Sequence, residues 1–283
     1  MNWFARLFDR GTTRRETPGA APPAPPPVPA AAPTPLPPVV EPPPIPADAM
    51  EEAAPKRPPF PSDAQVEAAL RMLECRADRA AAWAPVLAEV CRRFEINTPG
   101  RVAAFLANGV HETGHLSRLV ESLNYSVDGL LVTFGRHRIT EAQARALGRK
   151  PTEKVLPEER QKALAKILYG GEWGWKTLGN LIGGDDAWRF RGHGFFQLTG
   201  RHNYVRFARV VGKKPEALPA ILCTREGAAE SAAQFFVESG CLVEADAGDI
   251  ATVRRIINGG ELGLKEVEVL YANALAALAP RGP

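Results

Sequence analysis

No stretch of the chain reaches the ~18 consecutive apolar residues that a bilayer-spanning helix needs, so no transmembrane segment is expected. Cysteine is scarce. Cys75, Cys91, Cys223 and Cys241 form no C-x-x-C pair, which excludes a zinc ribbon and a thioredoxin-type motif. Charge of one sign is also lacking, since 35 basic side chains against 32 acidic ones leave a net +3. The first 61 residues are charge-neutral, so that small excess belongs to the remainder. It is too weak for nucleic acid, which demands a concentrated basic face, but it is compatible with an anionic polymer. The N-terminus lacks the apolar core of a signal peptide. Met1–Arg10 places Trp3, Phe4, Leu7 and Phe8 among Arg6, Asp9 and Arg10, a short amphipathic turn that could touch a membrane or a tethering partner. Cytoplasmic synthesis with four reduced thiols is therefore expected.

Proline is plentiful but uneven: nineteen of the 27 lie in residues 1–61. That segment is mostly Pro and Ala, with runs at Pro22–Pro23, Pro25–Pro27 and Pro42–Pro44. It favours polyproline II and has no side chains for a core, so residues 1–61 read as a disordered tail and semi-rigid spacer. Residues 62–283 read as one domain, and the 45% hydrophobic content is enough for a packed interior.

Helical punctuation begins at Ser62, which makes a capping box with Gln65 ahead of Val66, Ala69, Leu70 and Leu73. A second helix carries Trp83, Leu87, Val90, Cys91 and Phe94. Thr98 followed by Pro99 starts a third, running through Val102, Phe105, Leu106 and Gly109 to about Thr113. Ser126 and Thr140 are expected caps of short helices, and residues 157–169 form a charged amphipathic one. Gly170–Arg191, rich in Gly and Trp, reads as a long irregular loop. Thr199 is expected to cap a helix through Tyr204, Phe207 and Val211. Further helices are expected near 225–239, 249–257 and 264–278. The domain is mainly α with a minor β element.

Four constellations could carry chemistry. His111-Glu112-Thr113-Gly114-His115 spells H-E-x-x-H, a zinc-peptidase signature in which two histidines share a helix face. Against it, Gly114 weakens that helix, and the extended signature's Gly and His positions hold Arg118 and Glu121. Glu112 alone sits at the end of the apolar face formed by Phe105 and Gly109, where desolvation raises a carboxyl pKa and suits a general acid; alternatively it is an exposed glutamate where the helix frays. Glu121 follows beyond the helix end. Two carboxyls about 6.5–9.5 Å apart across a cleft are the arrangement for inverting glycoside hydrolysis. The stretch from Trp188 to Tyr204 offers Gly192, Gly194 and Gly200 for close backbone approach, with Arg, Gln, Asn and Tyr to bond or stack on a sugar; alternatively it is a tight turn packing Phe195 and Phe196 into the core. Finally Asn258, in Ile256-Ile257-Asn258-Gly259-Gly260, ends a helix.

Taken in order, H-E-T-G at Glu112, E-S-L-N-Y-S from Glu121, R-F-R-G-H-G-F-F-Q-L-T-G-R-H-N-Y from Arg189 and I-I-N-G-G from Ile256 resemble the family-19 glycoside hydrolases, in the bacterial and phage branch that includes endolysins. The resemblance covers about residues 62–280. It implies a lysozyme-like helical fold with a central cleft, and no metal or organic cofactor. It puts the acid on Glu112 and the water-activating base on Glu121, Gln197 and Thr199 beside the substrate, and a sugar contact on Asn258. Arg191 and Tyr204 match as further substrate-binding positions. The implied substrate is a β-1,4-linked polymer containing N-acetylglucosamine, peptidoglycan first and chitin second, cut by a monomer after release or export to the cell wall. The chain departs from the pattern at His193, where the branch usually has Arg, and at Phe195-Phe196, where Leu-Ile is commoner.

Overall fold

The structure, a computed structural model, describes residues 60–279. Apart from its last two residues, the expected Pro/Ala-rich tail with its amphipathic tip lies outside the described residues. The described part is mainly helical. It opens with α1 (Asp63–Met72), α2 (Ala77–Arg93) and α3 (Pro99–Thr113). Their starts follow from local chemistry. Ser62 and Gln65 complete a reciprocal capping box, and the Thr98 hydroxyl accepts from the Arg101 N–H with Pro99 at the first helical position. Helices α4 (Val127–Thr133), α5 (Glu141–Leu147) and α6 (Glu158–Tyr169) come next, and Ser126 and Thr140 cap the first two as expected.

The segment expected as an irregular loop is partly wound. It holds α7 (Gly171–Trp173), running into a π-type turn over Gly174–Leu178, and α8 (Asp186–Arg189). Such short turns carry too few residues to show a 3.6-residue period. Then come α9 (Arg201–Val210), α10 (Leu218–Leu222), α11 (Arg225–Glu238), α12 (Cys241–Asp246), α13 (Ile250–Asn258) and α14 (Leu264–Leu278). Thr199 does not cap α9. Gly200 holds that position, and the Thr199 hydroxyl donates back to the Gln197 carbonyl at 2.9 Å. The β element is reduced to isolated bridges, Val120 to His193, His193 to Leu198 and Ser126 to Arg149.

Helix α3 is the axis of the larger core. Ten of its residues, from Val102 to Thr113, are buried, and α14 lies along it. Its apolar face packs with α1, α2 and α11, and Phe195 and Phe196 enter the same core from the segment before α9. A second core gathers Leu123, Leu130, Phe134, Leu164, Leu168 and Tyr169. No helix among the described residues is long and apolar enough to cross a membrane. Cys75, Cys91 and Cys241 are buried free thiols and Cys223 is an exposed one.

Candidate active site

Helix α3 carries Glu112 to the edge of the larger core. The buried face of Phe105 and Gly109 continues to Glu112, one residue before the helix ends. There Arg254 of α13 meets it, and its Nη1 donates to Oε1 of Glu112 at 2.7 Å. Arg254 is 1% exposed and the Glu112 side chain 10%, so the pair is buried on the arginine side and open to the cavity on the other. The same Nη1 reaches Oδ1 of Asn108 at 3.3 Å, and Nε donates to the Leu262 carbonyl at 3.0 Å. The second oxygen of Glu112 accepts no hydrogen bond from the described residues.

The H-E-x-x-H reading does not survive this geometry. The helix stops at Thr113, and Gly114, His115 and Leu116 are all left-handed, at φ 57°, 56° and 60°. His115 is thereby swung off the ligand face, and its Nδ1 donates to the Leu73 carbonyl at 2.9 Å. The stacking of two histidines at i and i+4, on which the zinc signature depends, is broken by the reversal of backbone hand.

Glu121 is fixed by different means. Its backbone N–H donates to the Gly192 carbonyl at 2.8 Å. In return the Gly192 N–H donates to Oε2 of Glu121 at 3.0 Å, and the Tyr169 hydroxyl at the end of α6 donates to Oε1 at 2.7 Å. Both carboxylate oxygens are therefore held. A side chain at position 192 would crowd this clamp, because a Cβ there would stand 3.3 Å from Cβ of Glu121 and 3.0 Å from Oε1 of Gln197. Glu121 is 5% exposed. Burial pushes its pKa from 4.5 to about 7, and the hydrogen bonds from Tyr169 and Gly192, with the Arg191 charge, act in the opposite direction. The desolvation that raises a carboxyl pKa is found at Glu121.

Glu112 and Glu121 line one cavity of about 230 Å³, together with Arg118, Ser122, Asn124, Tyr125 and Gln197. Gln197 reaches it from a left-handed backbone, φ 53°, with its Nε2 donating to the Gly194 carbonyl at 2.9 Å. A non-glycine residue in that region costs about 1 kcal/mol or more, and such strain gathers at functional sites. The cost is offset next door. Phe195 lies against α3, stacked on Trp83 at 5.7 Å and edge-on to Phe105 at 5.4 Å. Only glycine fits beneath it, because a Cβ at Gly109 would stand 2.0 Å from the Phe195 ring. The two readings of this segment, substrate loop and core turn, therefore coexist: the phenylalanines anchor it and Gln197 faces the cavity.

The other sequence-derived positions are not among the lining residues of that cavity. Tyr204 is fully buried, with its hydroxyl 2.7 Å from Nδ1 of His193 and 3.1 Å from the Arg191 carbonyl. Its ring lies against Phe190 at 4.7 Å, so its stacking face is already used. Arg191 stacks its guanidinium on Trp188 at 3.6 Å and donates to the Glu121 carbonyl at 3.4 Å. Thr199 is 1% exposed. Asn258 is equally buried, and its Nδ2 donates to the Leu262 carbonyl at 3.0 Å. Its Oδ1 is a buried acceptor without a partner among the described residues. His193, the departure from the family pattern, is buried and its pKa is pushed down to about 4, chiefly by desolvation, so it is neutral at pH 7.

Two contributors were missed by sequence reasoning. Arg254 had a signal, because it falls on the buried stripe Ile250, Val253 and Ile257 of α13, and a cation there requires a buried partner. Tyr169 had only its place on the buried face of α6 beside Leu168.

No protein-family profile matches the chain. Among curated proteins it is similar to a Haemophilus influenzae protein named a glycosyl hydrolase family 19 domain-containing protein. The two are 32% identical over 175 residues, covering 60% of this chain and 76% of the relative.

Proposed function

The chain belongs to family 19 of the glycosyl hydrolases and is a glycoside hydrolase enzyme, and we propose that it cuts β-1,4 links of an N-acetylglucosamine-containing wall polymer, peptidoglycan before chitin. The observation that carries this is the pair of carboxyls lining one cavity, Glu112 from the end of α3 and Glu121 from the segment that follows. In the proposed reaction Glu112 gives its proton to the glycosidic oxygen as the bond from that oxygen to the anomeric carbon breaks. Water attacks the same carbon from the opposite face, and Glu121 accepts the proton that the water loses. A base works best when its pKa lies near the working pH, and the burial of Glu121 supplies that. Tyr169 and Gly192 aim its two oxygens. Gln197, among the residues lining the cavity, supplies a polar group for the sugar.

A second assignment has its own support. A carboxyl that keeps its proton to about pH 7 is equally a good acid, and Glu112 is the member already paired with a cation. The dependence of kcat/KM on pH separates the two assignments. Activity rising through pH 7 makes Glu121 the base; activity falling there makes it the acid. The bond cut is tested by incubating purified sacculi and soluble chitooligosaccharides with the enzyme and identifying the new reducing ends by mass spectrometry. Proton NMR of the fresh product should show the α-anomer, as inversion requires. New peptide termini without new reducing ends would remove the glycosidase mechanism altogether.

A further inference from the structure

Arg118 stands where two cavities meet. Beside the cavity of the two carboxyls lies a second of about 240 Å³, walled by His111, Arg254, Gly263 and Glu266, and only Glu112 and Arg118 line both. Arg118 is exposed, and its side chain makes no hydrogen bond or ion pair with the described residues. Its backbone is nevertheless fixed. Three successive left-handed residues turn the chain after α3, buried Leu116 anchors that turn, and the Arg118 N–H donates to the Thr113 carbonyl at 3.2 Å. Its guanidinium carbon lies 3.7 Å from where a Cβ on Gly114 would stand, over the bare backbone of the helix end.

The charges around it leave Arg118 uncompensated. The Glu112 carboxylate is taken by Arg254 at 2.7 Å. Glu121 is engaged by Tyr169 and Gly192. Glu266 is exposed to water on α14. His111 adds no cation at neutral pH, since burial and then the Arg254 charge lower its pKa. A guanidinium with free donors, carried on a fixed backbone at the rim of a glycan cleft, is a receptor for a carboxylate. Chitin carries none. Peptidoglycan carries them close to the chain, on the lactyl ether where it is free and on the peptide stems.

We infer that Arg118 binds a carboxylate of the substrate and thereby makes the cleft selective for peptidoglycan over chitin. This rests on the glycosidase reading above and adds to it the group that is recognised.

The test compares wild type with Arg118→Lys, Arg118→Gln and Arg118→Glu on three substrates: intact sacculi, glycan strands stripped of peptide by an amidase, and chitohexaose. The exposed position makes the variants foldable, and thermal melts verify it. The expected result is a roughly tenfold fall, in Arg118→Gln, in the ratio of kcat/KM on acidic glycan to that on chitohexaose, a larger fall in Arg118→Glu and a smaller one in Arg118→Lys. A fall on sacculi alone assigns the carboxylate to the peptide stem, and a fall on stripped strands assigns it to the lactyl ether. A ratio that stays put in all variants overturns the inference, as does a wild type active on chitohexaose alone. A wild type inactive on all three substrates sinks instead the glycosidase reading beneath it.

Discussion

The hydroxyl of Tyr169 donates a 2.7 Å hydrogen bond to Oε1 of Glu121 inside a fully buried contact. It joins the end of α6 to a carboxyl that forms no ion pair among the described residues. Arg254 plays the contrasting part for Glu112, which it holds by charge. One acid is thus positioned by dipoles and the other by a guanidinium, across the same cavity.

The Tyr169 contact predicts a shift in pH dependence. Its hydrogen bond lowers the pKa of Glu121 against the larger effect of burial. Tyr169→Phe removes the donor and keeps the ring, so the limb that Glu121 places near pH 7 should move to higher pH by about half a unit to one unit. Profiles of kcat/KM for the two proteins read this directly. An unmoved limb with a reduced plateau would mean that Tyr169 serves packing alone.

Stability should carry the mark of Glu121 as well. Its pKa is about 7 in the folded protein against an ordinary 4.5. Between those values the folded state binds more protons at this group than the unfolded one, so the contribution of Glu121 to stability is highest below about pH 4.5 and falls as pH rises through 7. The amide in Glu121→Gln does not titrate. Its melting temperature relative to wild type should therefore climb from pH 5 to pH 8, by the equivalent of about 2–3 kcal/mol. A difference that is flat with pH would contradict the raised pKa.

Breaking the buried pair from the other side is costly. Arg254→Ala leaves the Glu112 carboxyl without its partner and should destabilise the fold by about 3–5 kcal/mol. In a Glu112→Gln background the same change should cost less, by about 1–2 kcal/mol. Urea melts of the four proteins close the cycle. Identical costs in both backgrounds would assign the importance of Arg254 to Asn108 and Leu262 instead.

Gly109→Ala tests how the substrate segment is anchored. The added methyl meets the Phe195 ring at 2.0 Å in the present packing. Displacing the ring should cost about 1–3 kcal/mol. It should also lower kcat, because Gln197 is two residues away. A variant of full stability and activity would show that this anchor is dispensable.

Much of this was legible in the sequence for physical reasons. Ser62, Thr98, Ser126 and Thr140 are local signals, each satisfying a helix N–H within three residues, and each was read correctly. The two glutamates were legible as a pair through their order among the four motifs. What escaped was non-local. Nothing near Tyr169 announces a carboxyl 48 positions earlier. The swing of His115 depends on three consecutive left-handed residues that a helical pattern does not reveal. Tyr204 was read as a sugar contact because its side chain has a stacking face, but tertiary packing had already spent that face on Phe190.

The most direct test of the central claim is the rate of reducing-end release from purified sacculi by Glu112→Gln and by Glu121→Gln, each shown by circular dichroism to be folded. Two carboxyls acting as an acid and a base predict that each variant is slower than wild type by about a hundred- to ten-thousand-fold. Either variant releasing ends within about tenfold of the wild-type rate would contradict the account.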